Sequence, residues 1–304
     1  MARRAALRFG LLAVFCSLPC SVLNSAQFPF PPERCSVPVR TKKAITTWRK
    51  VIVKRIDFDG PIHLSQSDVA QIIKEANHKK LNADDPEWIK EFAEISLRGA
   101  WQDHGYFKVM VTSQARSLGG NSSEERFLVS AHVDEGLQYR LRDIRFRNST
   151  DIGISGDSTI SEPELRAAIP IRDGEIFNVA LIRTGIVALT KLYDSHGYID
   201  FTAVPDTEID DDLRPWISLV FTLDLQKQFR VGKVVLVGLD PKLEARVTEL
   251  IRPGDIYNYE VVEDFLKEIR AVLPSGFSIG EDVRFLRNFK AGIIDLTFDF
   301  RTCP

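Results

Sequence analysis

From residue 48 onward the chain repeats itself, and this constrains the fold more than any other feature, because a repeated segment must be one supersecondary unit stacked or strung with its copies. YRLRDIRFRN (139–148) aligns with FRVGKVVLVG (229–238): an aromatic, an arginine, then apolar residues at alternate positions. RKVIVKRIDFDG (49–60) is a weaker copy. Alternation rich in β-branched and aromatic residues predicts a strand in each. RDGEIFN (172–178) matches RPGDIYN (252–258), and QDHGYFKV (102–109) matches DSHGYIDF (194–201).

Each recurring piece has a local physical role. Gly174 and Gly254 are expected to supply the positive φ of a tight turn, with Ile176-Phe177 and Ile256-Tyr257 tucked inward behind it. Asn178 and Asn258 stand where a helix N-cap belongs. In the first repeat the loop HKKLNADDPEW lacks the glycine, and Asp85-Pro86 offers another helix start. Short first helices are predicted over 65–76, 161–170 and 240–251, and longer second helices over 86–103, 179–196 and 259–274. Val262, Leu266, Ile269 and Leu273 fall on one helical face, as do Leu181, Gly185, Ala188 and Leu192. Gly185, Ala188, Ala93 and Ala100 are small enough for close packing on a sheet.

The His-Gly-Tyr segments end the second helices. Gly105 and Gly197 take the left-handed closing position, His104 and His196 sit in the last turn, and Tyr106 and Tyr198 lead inward into the next strand. The third repeat reads PSGF, which keeps Gly276 and an aromatic at Phe277 but replaces histidine with serine. Histidine is thus dispensable to the motif, and the motif reads as architecture. Two strands close each repeat: YFKVMVTS with RFLVSAHVDEG, YIDFTAVP with WISLVFTLDLQ, and EDVRFLRN with GIIDLTFDF. The prediction is an α+β chain of tandem β-α-α-β-β repeats over 48–137, 138–227 and 228–304, each a three-stranded mixed sheet with two helices on one face.

Residues 1–26 differ in kind. Arg3, Arg4 and Arg8 precede a short apolar run that ends in small residues at Ser25 and Ala26, the form of a secretory signal peptide. A proline-rich lead follows over 27–47. The protein is expected to be exported, and Cys35 and Cys303 are then a candidate disulfide, within or between chains. Loss of three arginines with the leader carries the formal charge of −2 further negative, which argues against a nucleic-acid partner. No later segment is long and apolar enough to cross a membrane as a helix.

Signals for chemistry are weak. Ser195 beside His196 resembles a nucleophile and base, but adjacent helical residues are expected to face apart. Five histidines show no H-x-x-x-H spacing, so no zinc site or cofactor is predicted. Asp206, Glu208, Asp210, Asp211 and Asp212 are expected to share one solvated hairpin loop, without the spacing of a calcium loop. Asn121 and Asn148 begin glycosylation sequons, which matter only in a host that glycosylates that way. LGGNSSEE (118–125) reads as a hairpin turn.

The repeats resemble the POTRA (polypeptide-transport-associated) domain, over about residues 48 to 301. The resemblance rests most on the second repeat, in YRLRDIRFRN, DGEIFN and LYDSHGY, and on WQDHGY and Asp134-Glu135-Gly136 in the first. Family members commonly continue into a membrane β-barrel, whereas this sequence stops after the third repeat, so the expectation is a barrel-free array acting on a separate partner. In a β-α-α-β-β unit the hairpin places the third strand centrally and the second at an edge, where another chain can add a strand. The resemblance implies the same use. Candidate edges are 106–112, 198–204 and 282–287, with Phe107, Val109, Val111, Ile199, Phe201, Ala203, Val283 and Phe285 as strand-binding residues. The expected role is a non-enzymatic scaffold, in the periplasm or at the periplasmic face of the outer membrane. It is expected to bind an outer-membrane β-barrel protein or an unfolded polypeptide client, with membrane contact only through that partner. The alternative is a structural envelope protein that associates with itself.

Overall fold

A computed structural model describes residues 48–60, 62–149, 160–210, 215–270, 273, 277 and 279–301. The leader, the proline-rich lead, Cys35, Cys303, Gly276 and residues 211–214 lie outside the described residues. Among the described residues nine strands form three sheets of one topology. In the first, β1 (Lys50–Asp59) and β2 (Met110–Gly120) flank β3 (Glu124–Asp134), parallel and antiparallel to it respectively. β4 (Arg140–Asn148), β5 (Thr202–Asp210) and β6 (Trp216–Asp224) repeat the order, with β6 central. So do β7 (Arg230–Val237), β8 (Val283–Asn288) and β9 (Ile293–Asp299), with β9 central. The mixed sheet with the second strand at an edge is therefore the arrangement in all three repeats.

Compactness divides the described residues differently from the repeat. Those up to Leu192, with Thr202–Asp224, form one compact unit. Tyr193–Phe201 cluster instead with the residues from Leu225 onward.

Each first helix starts at a side-chain cap. Ser65 and Asp68 form a reciprocal capping box ahead of Gln66–His78, and Ser161 and Glu164 do the same ahead of Glu162–Ala167. Asp240 accepts from Lys242 N–H at 2.9 Å to open Pro241–Leu250. The expected asparagine caps also form: Asn178 accepts from Leu181 N–H and Asn258 from Glu260 N–H, both at 2.9 Å. They open the helices Val179–Asp194 and Tyr259–Glu268. The buried stripe of the former is Ile182, Gly185, Leu189 and Tyr193, one position round from the predicted face. Gly185 lies against Ile169, just past the end of the preceding helix, which leaves no room for a side chain there. A short helix, Ile279–Asp282, precedes β8 where a strand was expected to have begun.

The second helix of the first repeat runs without a break through Trp88–Glu91, Phe92–Leu97 and Arg98–Asp103, and its middle segment is π-helical. Its spacing explains this. Trp88, Phe92, Leu97 and Trp101 are all buried, at i, i+4, i+9 and i+13. Those steps exceed the 3.6-residue turn, and widening the helix keeps all four side chains on the core face.

The core of the first repeat is anchored by a polar contact. Trp101 is fully buried, and its indole N–H donates to Glu135 Oε1 at 2.7 Å. The His63 backbone N–H donates to the same oxygen at 2.7 Å, and the His63 ring pairs with Oε2. Burial pushes the Glu135 carboxyl up, but the His63 amide, the His63 ring and the Trp101 indole outweigh it and hold it below its ordinary value. A depressed carboxyl contributes stability that is present above the ordinary value of 4.5 and lost as pH falls through the folded one. Glu135→Ala leaves the indole N–H without this acceptor and is expected to cost about 1–3 kcal/mol. Urea unfolding should show a lower midpoint and a flatter acid limb, and an unchanged midpoint would mean that the contact carries no net stability.

Candidate functional site

The three sheets each present an edge strand, and the predicted edge residues divide around its start. Tyr106–Val109 form a turn, with Val109 N–H donating to Tyr106 O at 3.1 Å, and Phe201 N–H donates likewise to Tyr198 O at 3.0 Å. Phe107, Val109, Ile199 and Phe201 therefore precede β2 and β5 instead of lying on them. Val109 is buried, and Phe107 stands edge-on to Phe177 at 5.4 Å. Ile199 packs on the core of the third repeat, and Phe201 stacks on Tyr193 at 4.0 Å. The helix-closing turn takes up residues that alternation alone assigns to the strand. Val111, Ala203, Val283 and Phe285 do fall in edge strands, although Val283 is buried.

The described part of the acidic run is strand and not loop. Asp206, Glu208 and Asp210 lie in β5, and Asp211 and Asp212 fall outside the described residues. Arginines of β4 reach over the central strand to meet them: Arg142 to Asp210 at 2.5 Å, Arg145 to Glu208 at 2.7 Å, and Arg147 to Asp206 at 3.9 Å. The ladder crosses Ser218 and Val220 of β6, both buried. Its members are exposed, so each pair adds little stability. The ladder instead covers an apolar strand with arginine stems and fixes three charges along the edge. Among the described residues no group of three potential ligands is placed to hold a metal ion.

Ser195 Oγ stands 3.2 Å from His196 Nδ1, contrary to the expected divergence, because both residues lie past the helix end in a turn. The turn's glycine explains why the motif recurs. Gly105 (φ +90°) and Gly197 (φ +83°) close their helices, with Tyr106 N–H donating to Trp101 O and Tyr198 N–H to Tyr193 O, both at 3.0 Å. The glycine carbonyl then receives the start of the following repeat: Tyr139 N–H donates to Gly105 O, and Phe229 N–H to Gly197 O, both at 2.8 Å. The neighbouring glutamines donate to the histidine carbonyls, Gln138 to His104 O and Gln228 to His196 O, both at 3.0 Å.

The second recurring motif completes this joint. Phe177 N–H donates to Tyr139 O at 2.9 Å and Tyr257 N–H to Phe229 O at 3.0 Å. Phe177 and Tyr257 fill cores, but Ile176 and Ile256 do not point inward as expected; they are 38% and 39% exposed. Each lies over the glycine instead. A Cβ on Gly105 would stand 2.6 Å from Ile176 Cγ2, and one on Gly197 would stand 2.9 Å from Ile256 Cγ2. Between the first and second repeats Arg183 also grips both oxygens of Asp103, at 2.9 and 3.0 Å. In the first repeat Asn82 takes the isoleucine's place and Arg49 the aromatic's. There the Arg49 N–H is met by Asp84 of the same repeat at 3.2 Å. The signal was present in the sequence: isoleucine occurs in the two turns that follow a His-Gly-Tyr and not in the first repeat's loop.

The family model for POTRA, described as surface antigen variable number repeat, matches residues 149–224. A relative named as an outer membrane protein assembly factor in Treponema pallidum (strain Nichols) is 24% identical over 226 residues, which is 73% of this chain and 26% of the relative. Outer membrane protein assembly factor BamA of Neorickettsia risticii (strain Illinois) is 22% identical over 256 residues, 82% of this chain and 32% of the relative. The chain thus spans between a quarter and a third of the length of these relatives. Among solved structures, POTRA domains 3–5 of Haemophilus influenzae BamA share the fold, with a TM-score of 0.53 at 18% identity over 84% of this chain and 96% of that one.

Gly105→Ala is expected to destabilise the protein more than Gly174→Ala. Both glycines have positive φ, +90° and +85°, which costs other residues about 1–2 kcal/mol. Only at Gly105 does the added methyl also meet a neighbour; at Gly174 nothing lies within 4 Å. The excess, read from urea unfolding, reports the joint, and equal costs would show that the close approach is relieved freely.

Proposed function

We propose that this chain, a tandem array of POTRA domains, is an exported scaffold that binds polypeptide strands or a partner barrel during outer-membrane protein assembly or secretion. The observation that carries the reading is the edge strand presented by all three sheets: among the described residues β2, β5 and β8 each pair on one side only. A strand added there gains main-chain hydrogen bonds, which give affinity with little demand on sequence. That suits a scaffold that must accept many clients whose strands share alternation and little else. The names of the assembly-factor relatives support the same setting, at the periplasmic face of an outer membrane.

The role is recognition and not turnover. Ser195 and His196 sit in the turn whose backbone carries a joint, beside the His196 carbonyl that Gln228 engages. A hydrolytic site needs a base oriented by a third group and donors for a developing oxyanion, set around a cleft that holds substrate. Two shallow depressions among the described residues lie elsewhere, one along the helix Pro241–Leu250 and one across the face of the first sheet.

Photocrosslinking in the native envelope tests the proposal, with a reactive side chain at Gln114, Val204 or Arg284 and the captured proteins identified by mass. Outer-membrane barrels or their unfolded precursors are the expected products. Capture of this protein alone, from a folded and expressed array, would contradict the reading and favour self-association.

A further inference from the structure

We infer that the three edges are not equivalent, and that the one formed by β2 over Met110–Ser117 accepts the added strand. This rests on the strand-binding reading above and specifies where and what the array binds. An edge is closed to pairing by proline, by charge, by a bulge or by shortness. The six outer strands can be sorted by these devices.

The first strands of all three sheets are bulged on their pairing side, between Val53 and Arg55, Leu141 and Asp143, and Val231 and Val234. A bulge bends the strand and breaks the even row of amides that an incoming chain must match. β1 and β4 also carry a dense row of charges, among them Lys54, Arg55 and Asp57 in one and Arg142, Arg145 and Arg147 in the other.

Of the second strands, β5 contains Pro205, which is tolerated in a sheet where its missing N–H faces outward, so the donor an added strand needs there is absent. Asp206, Glu208 and Asp210 hold fixed carboxylates along the same edge. β8 has only 6 residues and follows directly from a helix; Arg284 and Arg287 charge it, and Arg287 is tied to Asp200 at 2.8 Å. β2 has 11 residues, no proline, and Arg116 as its one charged side chain. Its single register shift falls between Ser117 and Gly120, beside the hairpin, and leaves Met110–Ser117 regular.

Charge selects the occupant further. Across the solvent face, Arg116 and Arg55 both stand in register with Leu128, while Met110 is in register with Asp134 and Asp59 with His132. The face is basic toward Ser117 and acidic toward Met110. The fitting occupant is an extended client segment with an uncharged, alternating middle, an acidic residue at the end beside Arg116 and a basic one at the end beside Met110, across which Asp134 stands in register.

The test uses the full chain and a fluorescent synthetic peptide of about ten residues, valine and tyrosine alternating with threonine, with glutamate at its N-terminal end and lysine at its C-terminal end. Photoreactive side chains at the exposed positions Gln114, Val204 and Arg284 report capture by each edge. Labelling at Gln114 is expected to exceed that at the other two by about tenfold. Replacing Pro205, Asp206 and Glu208 together with threonine should bring Val204 to within about threefold of Gln114. Comparable labelling at all three sites of the unsubstituted edges, or preference for Val204 or Arg284, overturns the selectivity and leaves strand binding standing. Absence of labelling at every site overturns both.

Discussion

One backbone hydrogen bond organises this protein. A helix that ends on a left-handed glycine turns its last carbonyl outward, and the first amide of the following repeat takes it: Tyr139 at Gly105, Phe229 at Gly197. The Tyr139 and Phe229 amides precede β4 and β7 and are satisfied by this bond, while Gly105 O also accepts from Phe107 N–H at 2.9 Å. The glycine is doubly required, for its positive φ and because Ile176 or Ile256 occupies the space a Cβ would take. The segment Tyr193–Phe201 is drawn by these contacts into the compact unit of the third repeat, although the chain order places it in the second.

The first repeat shows what the interaction replaces. The Arg49 amide, the counterpart of the Tyr139 and Phe229 amides, binds the Asp84 carboxylate, and the Arg49 guanidinium binds Asp84 and Glu125. The same position is thus either apolar and receptive or polar and self-satisfied. Arg49 holds the Asp84 carboxyl below its ordinary value, as expected for an acid bound by a guanidinium.

Much of the fold was legible because each repeated residue had a local reason. Asn178 and Asn258 cap helices, Gly174 and Gly254 take positive φ, and the mixed sheet with its second strand outside follows from chain order. What escaped were readings in which an apolar residue was assumed to face its own core. Ile176 and Ile256 belong to a joint, which a single repeat taken alone does not contain. Phe107, Val109, Ile199 and Phe201 alternate like strand residues, yet the turn closing the preceding helix claims them. The wide spacing of Trp88, Phe92, Leu97 and Trp101 did carry the π-helical segment, for a reader counting turns instead of apolar residues. The edge ladder escaped because Asp206, Glu208 and Asp210 look like a loop until the arginines of β4 are placed opposite them.

Amide hydrogen exchange tests the account most directly. If the glycine joint is a standing element of the native protein, the Tyr139 and Phe229 amides exchange only with the larger openings that unfold their strands. The Arg49 amide, held by an exposed side chain, exchanges much faster. Tyr139 and Phe229 exchanging as fast as Arg49 would contradict the account, since the bond would then not hold the repeats' ends in place.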